Sequence, residues 1–185
     1  MRITTGQFKG KKLIVPEGES IRPTSDRARQ AIFNILSHGK PATMFHDAIP
    51  RGLKILDLFC GSGALGLESL SRGADYAAFV DLHPNVAKSN AMAVKVMDRC
   101  DFMSADCANL PAPRDQFDLV FLDPPYRAGL VMPAIEQLLD KKWLAKPALL
   151  VIETGNDEIL LLPDNFALLE QRQYGAAKIW FYQHA

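Results

Sequence analysis

From residue 53 onward, short apolar runs alternate with stretches of helical periodicity, and this alternation constrains the fold more than any other feature. Strands are predicted over residues 53–59, 76–81, 102–105, 117–122 and 148–153. Helices are predicted over 64–72, closed by Gly73, over 84–97, with Pro84 near its first turn, and over 130–140. Residues 166–174 and 178–182 read as a closing hairpin turned at Gly175-Ala176-Ala177. Strands that alternate with helices pair in parallel and are covered on both faces. The expected fold is therefore α/β, with a mostly parallel seven-stranded sheet ending in an antiparallel hairpin.

The first strand-to-helix turn contains Gly61-x-Gly63-x-x-Gly66. That spacing matches the dinucleotide fingerprint and, alone, admits NAD, FAD or another adenosine cofactor. Its glycines let the backbone approach a ligand closely. Asp81 ends the second strand, 18 positions after Gly63, where a carboxylate can bind ribose hydroxyls. Asp57 separates the candidates, four residues before Gly61. A carboxylate there repels a pyrophosphate but favours the ammonium and sulfonium of S-adenosylmethionine. Asp106, after the third strand, is placed to accept a hydrogen bond from an adenine amine, with Cys107 beside it. Singly, such acids are ordinary loop or cap residues. Three of them at successive strand ends, where ligands of parallel sheets bind, point to one site. The expected cofactor contacts are Asp57, Phe59, Cys60, Gly61, Ser62, Gly63, Asp81, Leu82, Asp106, Cys107 and Asp123.

The fourth strand ends in Asp123-Pro124-Pro125-Tyr126. An aromatic exocyclic amine is a poor nucleophile, because its lone pair is delocalised into the ring. Acceptors on its N–H groups, the Asp123 carboxylate and the Pro124 carbonyl, keep density on nitrogen. The prolines make these acceptors rigid, and Tyr126 can stack on a base that has left its helix. The predicted catalytic set is Asp123, Pro124, Pro125 and Tyr126. Methyl transfer then needs mainly in-line placement, with no metal and no covalent nucleophile. Cys60 and Cys107 follow no Pro-Cys turn and are read as pocket residues.

The N-terminal part is basic: residues 1–51 carry nine Lys/Arg against four Asp/Glu, while the net charge of the whole chain is zero. This asymmetry suggests an arm that meets a polyanion. Strands over 2–8 and 11–15, joined at Lys9-Gly10, are predicted as a hairpin. A helix follows Pro23-Thr24-Ser25, with Asp26 in its first turn and Ala28, Ile32, Ile35 and Leu36 at helical spacing up to about Ser37. Residues 39–52 read as a linker. The organisation expected is an RNA-facing extension over 1–51 and a catalytic domain over 52–185. Lys9, Lys11, Lys12, Thr24, Arg29 and Arg127 are expected RNA contacts, mostly to phosphate, while Arg22 and Arg27 either join them or pair with acids of the main domain. Three sparse cysteines argue against a disulfide framework or zinc site and for a reducing cytoplasm. No apolar signal core opens the chain, and no run approaches a membrane span.

Together these residues resemble class I, S-adenosylmethionine-dependent methyltransferases of Rossmann-like fold. Residues 57–73 closely resemble the RsmD family, bacterial methyltransferases acting on the N2 amine of a guanine in 16S ribosomal RNA. Arg22-Pro23-Thr24-Ser25-Asp26-Arg27-Ala28-Arg29 resembles that family's N-terminal signature, and Gly6 to Leu13 its opening hairpin. The resemblance spans essentially the whole chain. It implies that Asp57, Gly61 and Gly63 face the methionine part of the cofactor, Asp81 the ribose and Asp106 the adenine. It implies that Asp123 to Tyr126 hold the guanine, and that Arg22, Thr24 and Arg27 shape the entrance. The implied substrate is an assembled or assembling small ribosomal subunit, met by a cytoplasmic monomer. Thr5-Gly6 departs from the usual Gly-Gly, and His83 stands where a second acid often occurs. The alternatives are an adenine-N6 methyltransferase of RNA or DNA, a nicotinamide oxidoreductase, and a non-catalytic RNA-binding assembly factor.

Overall fold

Seven strands form one sheet in the order β3-β2-β1-β4-β5-β7-β6. They are β1 (Lys54–Leu58), β2 (Tyr76–Asp81), β3 (Cys100–Ser104), β4 (Phe117–Leu122), β5 (Leu144–Gly155), β6 (Phe166–Tyr174) and β7 (Ala177–His184). The helices are α1 (Asp26–His38), α2 (Ala64–Ser71), α3 (Asn85–Val94) and α4 (Val131–Asp140). The computed structural model describes residues 1–16, 26–45 and 49–185. The first five strands are parallel, and β7 runs antiparallel between β5 and β6.

Alternation along each strand feeds two cores. Ile55, Phe79, Phe121 and Val151 face one, where Phe33 of α1, Leu67 of α2 and Ala91 of α3 meet them. Leu56, Val80, Leu122 and Ile152 face the other, filled by Ile135 and Leu138 of α4 and by Trp143. Each fully buried large apolar side chain contributes roughly 1.5–3 kcal/mol relative to exposure. Gly66 sets the distance between α2 and the sheet: a Cβ there would lie 2.4 Å from Cε1 of Phe79. The third glycine of the fingerprint thus serves helix–sheet packing.

The expected strands and helices form, with four differences. The helix predicted over 84–97 ends at Val94, where Lys95 turns left-handed with φ 62°. The strand predicted over 148–153 becomes the 12-residue β5: Leu144 pairs with Phe117 of β4 at one end, and antiparallel β7 continues the ladder to Gly155 opposite Ala177 at the other. The 39–52 linker contains a 3-10 turn at Lys40–Thr43. The N-terminal hairpin is a single antiparallel bridge between Arg2 and Lys12. Cross-strand bonds flank it, from Ile3 N–H to the Lys11 carbonyl at 3.0 Å and from Leu13 N–H to the Met1 carbonyl at 3.1 Å, while the donors of Thr4, Thr5, Gln7 and Phe8 go to α2. Gln7 N–H donates to the Ser71 carbonyl at 2.8 Å, one of the last-turn acceptors a helix leaves open. Phe8 N–H donates to Ser71 Oγ at 2.9 Å, and Thr4 and Thr5 N–H donate to Glu68 at 2.8 and 3.0 Å. Gly6 permits this approach, since a Cβ there would lie 1.9 Å from the Ser71 carbonyl oxygen. The proposed cap residues Thr24 and Ser25 lie outside the described residues.

Candidate active site

The glycine loop turns sharply between β1 and α2. Phe59, Gly61 and Gly63 take φ of 59°, 50° and 73°, the left-handed region that favours glycine. A Cβ on Gly61 would meet nothing nearer than 4.0 Å, so the loop backbone is open to a ligand there. Asp57 is buried, and its Oδ2 accepts the Gly66 N–H at 2.9 Å, one of the orphan donors of the α2 N-terminus. Burial pushes its carboxyl well above the usual carboxylate range; the Gly66 bond opposes this, and the charges of Asp123 and Asp81 add to it. Asp57 therefore supports the loop from within, close to Asp81 and Asp123. Ser62 is buried as well. Its hydroxyl lies 3.5 Å from Met1 Sδ, and its carbonyl accepts Asn90 Nδ2 at 2.9 Å. The same Asn90 amide clamps Ile14, donating to its carbonyl at 2.9 Å and accepting its N–H at 2.8 Å. Asn90 escapes sequence reading because nothing local marks a polar residue on a helix as a clamp.

Asp81 sits at the end of β2, next to the loop. Its Oδ2 accepts the Gly61 N–H at 3.0 Å and its Oδ1 the His83 N–H at 2.9 Å. Each carboxylate oxygen can accept a further bond. Leu82 beside it is 59% exposed, an apolar wall facing solvent. Asp106 is exposed and accepts the Ala108 N–H at 2.9 Å. Cys60 and Cys107 are buried beside these acids. Burial pushes both thiols up, Cys107 to about 12 and Cys60 further, so neither is a thiolate near neutrality. Cys100 is likewise raised to about 12, chiefly by burial. Because pH 8 lies far below these values, iodoacetamide at that pH is expected to leave all three cysteines unmodified in the folded protein. Mass spectrometry checks this, with full labelling expected only after denaturation; rapid alkylation of native Cys60 or Cys107 would contradict the assignment.

At the end of β4, Asp123 is half-buried, Pro124 buried, and Pro125 and Tyr126 exposed. Leu58 of β1 and Leu122 of β4 are register partners, so Asp123 emerges directly beside the glycine loop. Tyr126, 39% exposed, donates its hydroxyl to Oε1 of the buried Glu153. Sequence reading passed over Glu153; the available signal was an acid at the end of an apolar strand. Behind it, Glu158 accepts N–H bonds from Gly155 at 2.7 Å and Arg127 at 3.3 Å.

The basic residues divide. Lys9, Lys11, Lys12 and Arg27 are exposed. Arg127 pairs with Asp157 at 2.7 Å and remains largely exposed. Arg29 is not available to RNA, which corrects its assignment: its side chain is fully buried. It pairs with Asp26 at 2.7 Å, lies 3.6 Å from Glu68 and donates to the Arg2 carbonyl. Arg22 and Thr24 lie outside the described residues. Among those described, no helix is long and apolar enough to cross a membrane.

Strand order, glycine loop and the row of acids at the strand ends define a class I, S-adenosylmethionine-dependent methyltransferase. The family profile described as Conserved hypothetical protein 95 matches residues 1–183. The chain belongs to this family, the RsmD family. It is 35% identical over 191 residues to ribosomal RNA small subunit methyltransferase D of Haemophilus influenzae, covering 100% of this chain and 94% of the relative. Identity to the Escherichia coli K12 protein of that name is 35% over 187 residues, covering 99% and 89%. A solved chain from Escherichia coli superposes with a TM-score of 0.81 at 33% identity, covering 100% of this chain and 97% of that one.

Proposed function

We propose that this enzyme methylates the exocyclic N2 amine of a guanine in 16S ribosomal RNA, on the small subunit. The observation that carries the reading is Asp123, delivered by the β1–β4 register to the side of the glycine loop. The names of the two relatives support ribosomal RNA as the substrate class.

The residues present suit S-adenosylmethionine. The loop backbone is open at Gly61, and Asp81 adjoins it with further acceptor capacity for ribose hydroxyls. The carboxylates of Asp81 and Asp123 disfavour a pyrophosphate and favour a cationic ligand. When bound, S-adenosylmethionine supplies a methyl group and leaves as S-adenosylhomocysteine, whose sulfur keeps the bonding electron pair. The Asp123 carboxylate and Pro124 carbonyl accept the N–H groups of the amine and orient its lone pair, which forms the new N–C bond. One N–H proton then departs, by way of Asp123, to solvent. Tyr126 stacks on the base. Lys9, Lys11, Lys12 and Arg27 contact phosphate, so binding weakens as salt rises.

Incubating labelled S-adenosylmethionine with small subunits that lack the modification, followed by nucleoside analysis, tests the reading. N2-methylguanosine is expected. N6-methyladenosine would substitute the adenine alternative, and binding without label would leave an assembly factor.

A further inference from the structure

The end of β5 carries an acid that the reaction as written does not use. Leu122 of β4 and Ile152 of β5 are register partners, so Asp123 and Glu153 are the next residues in step. Phe121 and Val151 both face the first core, and two residues further on the same alternation turns Asp123 and Glu153 to that side. Glu153 is 6% exposed and accepts the Tyr126 hydroxyl. The pocket bounded by Pro124, Tyr126, Leu130 and Glu153 has a cavity of only about 10 Å³, room for one water and not for a base. A base edge that reaches Glu153 must therefore displace the Tyr126 hydroxyl from it.

We propose that Glu153 is a specificity-determining residue: its carboxylate, held by the Tyr126 phenol in the free protein, accepts the N1–H of the target guanine. The proposal rests on the guanine-N2 reading and deepens it. Guanine places N1–H next to its N2 amine, so its Watson–Crick edge offers adjacent donors to two adjacent carboxylates. Adenine places a bare N1 next to its N6 amine. A carboxylate there would face a lone pair, with no hydrogen bond to offset its desolvation. Asp123 alone accepts any exocyclic amine; Asp123 and Glu153 together accept only an amine flanked by a donor.

The test uses small subunits whose modified position, first mapped with the wild-type protein, carries either guanosine or 2,6-diaminopurine riboside, introduced by ligation. Diaminopurine keeps the C2 amine but presents N1 as an acceptor. Wild-type protein is expected to favour guanosine by at least about 100-fold in kcat/KM. Glu153→Gln keeps an acceptor for the Tyr126 phenol and adds an N–H donor; it is expected to lower the guanosine-to-diaminopurine ratio by about 10-fold or more. Equal losses on both substrates, leaving the ratio unchanged, would overturn the proposal. A Tyr126→Phe variant is expected to keep the wild-type ratio whatever its rate. If it reproduces the lost discrimination, Glu153 acts only by holding Tyr126, and the proposal is overturned. Absence of N2-methylguanosine with wild-type protein overturns the guanine reading itself, and the proposal with it.

Discussion

Asp123→Ala is expected to lower the methylation rate by about 10²–10³, the usual effect of removing one oriented hydrogen-bond partner from a reacting group. The methyl donor should still bind. Asp123 stands half-buried at the end of β4, while the loop that would carry the donor is held by other groups. Asp57 fixes Gly66, and Asp81 fixes Gly61. Deleting the Asp123 carboxylate leaves both supports in place and removes a charge that pushes the Asp57 carboxyl up. Calorimetry should therefore show S-adenosylhomocysteine binding within a few-fold of wild type, with kcat carrying the loss. Asp123→Asn keeps one acceptor oxygen and is expected to fall in between. Near-normal turnover in the alanine variant would remove Asp123 from the chemistry.

The largest effect on stability is expected at Glu68. This fully buried carboxylate accepts from Thr4 Oγ1 at 2.7 Å, from the Thr4 and Thr5 N–H groups, and from Arg72 Nε at 2.9 Å. Arg29, equally buried, lies 3.6 Å away, and its Nε and Nη1 have no hydrogen-bond partner. Charge compensation is thus what holds Arg29 inside. Glu68→Ala leaves that guanidinium with Asp26, whose side chain is 52% exposed. Breaking such a buried pair costs about 3–5 kcal/mol. At about 2–4 °C per kcal/mol for a chain of this size, thermal unfolding should drop by roughly 10 °C. A melting point within about 2 °C of wild type would show that the ion pair is dispensable. The first turn of the chain should loosen as well, read as faster amide exchange at Thr4 and Thr5.

The strands and the glycine loop were legible in the sequence because each rests on local chemistry: apolar alternation, and glycine where φ turns positive. What local chemistry does not mark was misread. Arg29 stands two residues from the exposed Arg27 and was grouped with it, yet it shares a helical stripe with Ile32, Phe33 and Leu36, all buried. That spacing was the available signal; the partner that makes it tolerable, Glu68, is remote in sequence. Glu153 sits in a strand without motif, and only the register of β4 on β5 brings it beside Asp123. Nothing in the charge of Asp57 marks the Gly66 N–H that one of its oxygens accepts. The opening hairpin keeps its cross-strand bonds at Ile3 and Leu13, but the donors of Thr4, Thr5, Gln7 and Phe8 go to a helix that begins nearly sixty residues later in the chain.

The docking of the opening segment also has a consequence in time. Thr4 is joined to a residue 64 positions later, and Ile14 to one 76 positions later. At a synthesis rate of about 5–20 residues per second, Ile14 emerges roughly 4–15 s before Asn90 exists to receive it. Until α2 and then α3 are made, Ile3 and Leu13, both destined for the interior, have neither helix to cover them. These residues thus settle only after much later ones are made, and their docking reports that the cofactor loop between Ser62 and Glu68 has already taken shape.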